Sequence, residues 1–201
     1  MSNTERQLAR IFLARHGETQ WSKSHQHTGL TDIPLTERGE KNARRLGEAL
    51  QGADFTAVFS SPLKRAWRTC ELAGFGAVAE ADHDLVEWDY GDYEGQTTDE
   101  IQQQRPRWDV FRDGCPGGES VQQISSRANR VVARLRDTEG DVLLFSHGHF
   151  LRVFAARWLD LDPDAGRYFY LSTAALSIVG FEHGRHDPVI RLWNDNSHVI
   201  R

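Results

Sequence analysis

The chain has 201 residues, 39% hydrophobic and 26% charged, which suits one globular domain able to bury a core without metal or disulfide staples. Its formal net charge of −5 argues against bulk nucleic-acid binding, so any anion site must be a local gathering of arginines on an acidic body. Two cysteines, Cys70 and Cys115, with no CxxC, and no run approaching a signal peptide or a membrane span, set the expectation of a cytoplasmic protein with reduced thiols.

Residues 1–7 are polar and read as a frayed end. Leu8–Ala14 reads as a buried strand that ends at Arg15-His16-Gly17. A small polar loop follows from Trp21 to Leu30. Thr36 has the chemistry of an N-cap, with Ala43, Leu46 and Leu50 at helical spacing behind it and Gly52 closing the helix. Ala57–Ser60 reads as a second strand. Ser61 then caps a helix with Pro62 at its first position, and that helix runs to about Ala73. Residues 78–81 read as a short strand. The acidic and glycine-rich stretch from Leu85 to Gly95 reads as a loop, and Thr97-Thr98-Asp99-Glu100 as a capping box opening a helix that stops before Pro106.

Val121, Ile124, Ala128, Val131 and Leu135 mark an amphipathic helix. Val142–Phe145 is the most strand-like run, and it ends at Ser146-His147-Gly148-His149 before a helix from Phe150 to Leu159. Leu176–Phe181 and Val189–Trp193 form a terminal hairpin. This alternation predicts an α/β protein: a three-layer α/β/α sandwich around a mainly parallel sheet with an antiparallel edge, in one domain. Residues 86–119 read as an insertion over the active site, on the substrate side.

In open α/β sheets, ligands bind at the carboxyl ends of strands. Three strand ends here carry similar chemistry: Arg15-His16-Gly17, Ser60 to Arg65, and Ser146 to His149 before a helix N-terminus. Two arginines bind a phosphoryl group's oxygens in pairs, and a helix start favours an anion. One neutral imidazole can attack phosphorus while a second donates to its equatorial oxygens. Gly17 allows a ligand to approach the backbone closely. His147-x-His149 lacks the Cys, Asp or Glu spacing that a zinc site needs.

These residues resemble the histidine phosphatase superfamily, in the branch that includes cofactor-dependent phosphoglycerate mutase, over roughly Leu8 to Trp193. The motifs are Leu13-Ala-Arg-His-Gly-Glu-Thr19, Thr28-Gly-Leu-Thr-Asp32, Ser60-Ser-Pro-Leu-Lys-Arg-Ala66, Glu87-Trp-Asp-Tyr-Gly91 and Ser146-His-Gly-His149. Trp21-Ser22 and the stretch from Glu87 to Gly95 are most similar to the group with sedoheptulose-1,7-bisphosphatase and small bacterial acid phosphatases. The resemblance implies that His16 is the nucleophile, that Arg15, Arg65 and His147 hold the phosphoryl group, and that Glu87 is the acid and base. It adds Gly17, Ser22, Thr28, Gly29, Tyr90, Gly148 and His149 as binding positions, with backbone N–H donors near Thr28-Gly29 and at Gly148-His149.

No metal and no cofactor are implied. The partner is a small phosphorylated metabolite, neither nucleic acid nor membrane, and a homodimer is compatible with the hairpin edge. Ser22 and His149 stand where mutases tend to carry Asn, and residues 96–104 lack the mutases' Lys and paired Arg. Hydrolysis is therefore expected over transfer, with a phosphoglycerate mutase and a silent phosphate-binding module as alternatives. A bell-shaped pH profile with a mildly acidic optimum should follow. Tyr93 is expected beside Tyr90 in the substrate pocket. His25, His27, His83, His183, His186 and His198 are expected on the surface, and Cys70, Trp88 and Trp108 in the packing.

Overall fold

A computed structural model describes residues 8–199, so the polar end at 1–7 lies outside the described residues. One six-stranded sheet has the order β3–β2–β4–β1–β5–β6. The strands are β1 (Ile11–Arg15), β2 (Ala57–Ser60), β3 (Ala79–Ala81), β4 (Val142–Ser146), β5 (Leu176–Phe181) and β6 (Pro188–Asp195). The helices are α1 (Gln20–Lys23), α2 (Glu37–Ala49), α3 (Lys64–Leu72), α4 (Thr98–Gln104), α5 (Val110–Asp113), α6 (Val121–Arg136) and α7 (Gly148–Trp158). β3, β2, β4 and β1 pair in parallel, and β5 and β6 return antiparallel along the edge of β1. The mainly parallel sheet with an antiparallel edge is as expected; the edge carries two strands, the terminal hairpin.

The central strands are unbroken apolar runs because both faces of the sheet are covered. Ile11, Leu13, Val142 and Leu144 pack with Ile124, Ala128, Val131, Phe150 and Phe154 of α6 and α7. Phe12, Ala14, Leu143 and Phe145 face the other way, onto Leu46 of α2 and Cys70 of α3. Burying a side chain of this size contributes about 2 kcal/mol, and each strand supplies two such layers.

Three local readings need correction. β1 starts at Ile11, three residues later than expected, because its ladder to Val142 and Val179 begins there, and Arg10 turns its N–H and guanidinium to the Asp141 carboxylate. α3 starts at Lys64, with Leu63 in the cap position and no side-chain cap. Ser61 lies two residues before that position; its Oγ accepts from Leu63 N at 3.3 Å and also bonds His147 Nε2 at 2.8 Å. Gly17 accommodates protein rather than a ligand: a Cβ there would lie 2.6 Å from the Gly39 carbonyl oxygen, so α2 seats its backbone directly on the end of β1.

The capping box at Thr97 forms, with Glu100 reciprocating. Across residues 86–119 the two ends are tied together, since Trp88 Nε1 donates to Glu119 O at 2.9 Å and Glu119 N donates to Asp89 O at 2.8 Å. Trp88, Trp108 and Cys70 are buried packing, as expected. Among the described residues, no helix is long and apolar enough to cross a membrane.

Candidate active site

β2, β4 and β1 are neighbours, so their carboxyl ends lie side by side. β1 delivers Arg15 and His16, β4 delivers His147, and the turn after β2 delivers Arg65 in the first turn of α3. His16 N donates to Ser146 O at 2.9 Å, and Ala174 N donates to His16 O at 3.0 Å. The His16 backbone is thereby held by the end of β4 and by the turn that precedes β5.

The His16 ring has a defined tautomer. Nδ1 lies 2.7 Å from the Gly17 carbonyl, which can only accept, so Nδ1 carries the proton and Nε2 keeps its lone pair. The His147 ring lies beside it, with centroids 5.2 Å apart. Arg65 Nε donates to His147 Nδ1 at 3.1 Å, which leaves the proton of His147 on Nε2, facing Ser61 Oγ. Arg65 is fully buried, and its terminal nitrogens donate to the carbonyls of Thr28, Gly29 and Thr31. It therefore orients His147 and shapes the 28–31 loop, with one N–H left over.

Glu87 is buried at the start of α7. Its Oε1 accepts from Trp88 N and Phe150 N, and Oε2 accepts from His149 N at 3.1 Å. Oε2 is thus the oxygen with room for a proton. Behind it, Arg127 donates to the carbonyls of Asp84, Val86 and Glu87 and is held by the Glu119 carboxylate. Sequence reasoning missed this clamp, because Arg127 sits in an ordinary amphipathic helix.

A cavity of about 750 Å³ opens over these groups. Of the expected residues, Arg15, His16, Ser22, Thr28, Tyr90 and His149 line it. Arg65, Glu87 and His147 are buried outside the lining, and each touches a residue within it: Thr28, His149 and His16 respectively. Gly148 lies under Arg15, so close that a Cβ there would be 3.1 Å from the guanidinium carbon. Arg15 Nη1 donates to Leu171 O at 2.5 Å, while its Nε is buried with no partner.

The backbone donors expected at Gly29 and His149 are already engaged, Gly29 N by Glu94 Oε1 at 2.8 Å and His149 N by Glu87. The Ser22 hydroxyl is likewise occupied in capping α1. His27 is not a surface residue. It is buried in the cavity wall against Tyr90 and Trp108, with Nε2 on Thr98 Oγ1. His198 is half-buried, its Nε2 donating to Ala174 O. Tyr93 packs edge-on against Trp108 and takes no part in the lining.

Residues that the sequence reading missed also line it, among them the Glu18–Arg38 ion pair, His25, Arg152, and Tyr170, Ser172, Thr173 and Asn196 from the C-terminal segment. A signal existed for Arg152. α7 is apolar nearly throughout, and a charge in such a helix must be matched by something.

The electrostatics favour neutral imidazoles. Burial, then the charges of Arg65 and Arg15, hold His16 well below its ordinary value of 6.5. Burial and Arg65 do the same to His147, burial and Arg152 to His149, and burial brings His27 to about 4. Tyr90 is pushed well above 10 by burial and Glu87, so its hydroxyl keeps its proton, and it shares a hydrogen bond of 2.5 Å with His149 Nδ1.

A stability consequence follows from these four groups. In the unfolded chain each imidazole takes up a proton as the pH falls through about 6.5, whereas the folded chain keeps it neutral further down. The unfolded state then binds more protons. Stability is therefore lost as pH drops from about 6.5 toward 4.5, by up to about 1.4 kcal/mol per pH unit for each histidine. Urea unfolding at pH 7.5, 6.5 and 5.5 checks this, and a flat profile would contradict it.

Comparison with known proteins agrees with this geometry. The model of the histidine phosphatase superfamily (branch 1) matches residues 11–196. An acid phosphatase from Mycobacterium tuberculosis is 44% identical over 179 residues, covering 87% of this chain and 88% of the relative. A sedoheptulose 1,7-bisphosphatase from Saccharomyces cerevisiae is 42% identical over 185 residues, covering 76% of this chain and 68% of the relative. The solved structure of an open reading frame from M. tuberculosis superposes with a TM-score of 0.88 at 42% identity, covering 92% of this chain and 97% of that one.

Proposed function

This chain belongs to the histidine phosphatase superfamily (branch 1), and on that footing we propose that it hydrolyses small phosphomonoesters through a phosphohistidine at His16, without a metal. The observation that carries the proposal is the state of His16. Its Nδ1 proton is fixed on Gly17 O, its Nε2 lone pair is available, and two arginines stand beside it, with no ion pair to a carboxylate among the described residues.

The steps follow from the named atoms. The phosphoryl dianion enters between Arg15, whose Nε is unpartnered, and His147 Nε2–H, which exchanges Ser61 for an equatorial oxygen. His16 Nε2 attacks phosphorus as the bond to the leaving oxygen breaks, and Glu87 Oε2 delivers its proton to that oxygen. The Glu87 carboxylate then takes a proton from water as the water attacks. The phosphorus–nitrogen bond breaks and phosphate leaves. The arginines supply the positive charge that a cation supplies in other phosphatases.

Hydrolysis rather than transfer is supported by residues 96–104, which carry no lysine or arginine to hold a second substrate. The test is phosphate release from an aryl phosphate in excess EDTA, followed by an alkaline detergent quench during turnover. Full activity with EDTA and acid-labile, alkali-stable phosphate on the protein are expected. Loss of activity with EDTA would overturn the metal-free route, and absence of a trapped phosphoprotein would overturn the intermediate.

A further inference from the structure

Arg65 is carried by the first turn of α3, yet the loop that seats it comes from elsewhere in the chain. The Lys64 N–H at the start of α3 is taken by Asp32 Oδ1 at 2.7 Å, 32 residues earlier. The Arg65 guanidinium donates to the carbonyls of Thr28, Gly29 and Thr31 at 3.0, 2.7 and 3.0 Å. Its Nε donates to His147 Nδ1 at 3.1 Å. The 28–32 loop is thus the seat of the residue that orients His147.

That loop has little apolar anchorage at its tip, where Leu30 is exposed. Its carbonyls go to Arg65 and its N–H groups to Glu94, whose Oε1 accepts from Gly29 N at 2.8 Å and from Thr31 N at 3.2 Å. The peptide that joins Thr28 and Gly29 is therefore held at both ends, its C=O by Arg65 and its N–H by Glu94. Thr31 likewise gives its N–H to Glu94 and its C=O to Arg65. Bonds to a charged acceptor are about twice as strong as neutral ones. The insertion also bears on Gly29 directly, where a Cβ would lie 2.5 Å from the Trp88 carbonyl oxygen.

We propose that Glu94 is a positioning residue for phosphoryl transfer: by holding the N–H groups of Gly29 and Thr31 it keeps their loop on Arg65, and Arg65 on His147 Nδ1. That chain of contacts keeps the His147 proton on Nε2, the donor that serves an equatorial oxygen. Glu94 takes no part in the cavity lining and acts only through the loop. The insertion that carries Glu87 thereby orders the phosphoryl clamp as well as the acid. The consequence for turnover rests on the phosphatase reading of His16; the consequence for oxyanion binding does not.

The experiment has two arms. In the first, kcat and KM are measured for the wild type, Glu94→Ala, Glu94→Asp and Glu94→Gln on a sugar monophosphate and on nitrophenyl phosphate. A contact that serves the transition state lowers kcat and spares KM. Glu94→Ala, and Glu94→Asp with its shorter arm, should each lower kcat by at least about tenfold with KM within about threefold. The loss should be alike on both esters, since the clamp acts on the phosphoryl group and not on the leaving group. Glutamine keeps an oxygen for both N–H groups, so Glu94→Gln should recover at least about fivefold in kcat over Glu94→Ala.

In the second arm, calorimetry measures the affinities for vanadate, which takes the five-coordinate shape of the transition state, and for inorganic phosphate, which does not. Glu94→Ala should weaken vanadate at least about tenfold more than phosphate. A merely structural role would weaken both by the same factor. A smaller loss in kcat, equal weakening of the two anions, or a Glu94→Gln no better than Glu94→Ala would overturn the proposal. Should Glu94→Ala fail to fold, Glu94→Asp against Glu94→Gln decides both comparisons. Absence of turnover in the wild type, with the selective loss of vanadate intact, would overturn the phosphatase reading and leave the positioning role standing.

Discussion

Replacing His16 with alanine is expected to lower phosphate release by at least about a thousandfold while leaving the fold intact, in line with the loss seen when a covalent nucleophile is deleted from an enzyme. The other buried imidazoles around it are otherwise engaged. The His147 Nδ1 lone pair is occupied by Arg65, and His149 Nδ1 is hydrogen-bonded to the Tyr90 hydroxyl. His27 lies across the cavity among Tyr90, Trp108 and His149. His16 is nearly fully buried, and alanine leaves a cavity, yet the backbone contacts to Ser146 and Ala174 persist. Burst-phase and steady-state rates, with circular dichroism as a control on folding, check this; residual activity within tenfold of wild type would rule out His16 as nucleophile.

The second large effect belongs to Glu87, and it should depend on the leaving group. A sugar or alkyl alkoxide is a poor leaving group and needs the proton from Oε2; a nitrophenolate leaves without it. Glu87→Gln should therefore cost about 10²–10⁴-fold on an alkyl or sugar phosphate and under about tenfold on nitrophenyl phosphate. Glutamine keeps the oxygen used by Trp88 and Phe150 and gives up the acceptor for His149 N, so α7 loses one of three bonds at its start. Equal losses on both ester classes would show that Glu87 acts on structure alone. The Arg127 clamp on the Glu87 carbonyl explains how one carboxylate is selected in an acidic stretch. Asp84 is paired with Arg130, Asp89 accepts from Gly91 N, and Glu94 holds Gly29 and Thr31.

Much of this was legible in the amino-acid order. The runs at Ile11 and Val142 are apolar at every position because the sheet is covered on both faces, and such runs are visible without a partner. Arg15, His16, His147 and His149 were legible because they follow those strands directly. Arg65 was legible only through the motif around it, since a lone arginine in a charged helix carries no signal.

What stayed hidden depends on contacts distant in the chain. Gly29 N–H looked free because Glu94, which takes it, lies 65 residues away. Ser61 looked like the cap because nothing local shows that its hydroxyl also bonds His147. His27 looked exposed because Tyr90 and Trp108 reach it from another segment. Tyr170, Ser172 and Asn196 enter the site only because β5 turns back along β1, which no local pattern announces.

The sheet order has a consequence for how this molecule acquires its activity. Arg65 and His147 are 82 residues apart, Glu87 and Phe150 are 63, and Arg15 meets Leu171 across 156. The loop that clamps His16 includes Ala174, a buried residue held at a φ of +56°, a left-handed conformation that costs about 1–2 kcal/mol and persists only when its surroundings enforce it. No contiguous fragment holds the reacting groups. Closing such long loops is slow, and the site is complete only when β5 is paired with β1 and Ala174 is bonded to His16. A nascent or partly unfolded copy thus holds most of the parts and none of the chemistry, and turnover reports on the topology of the whole chain.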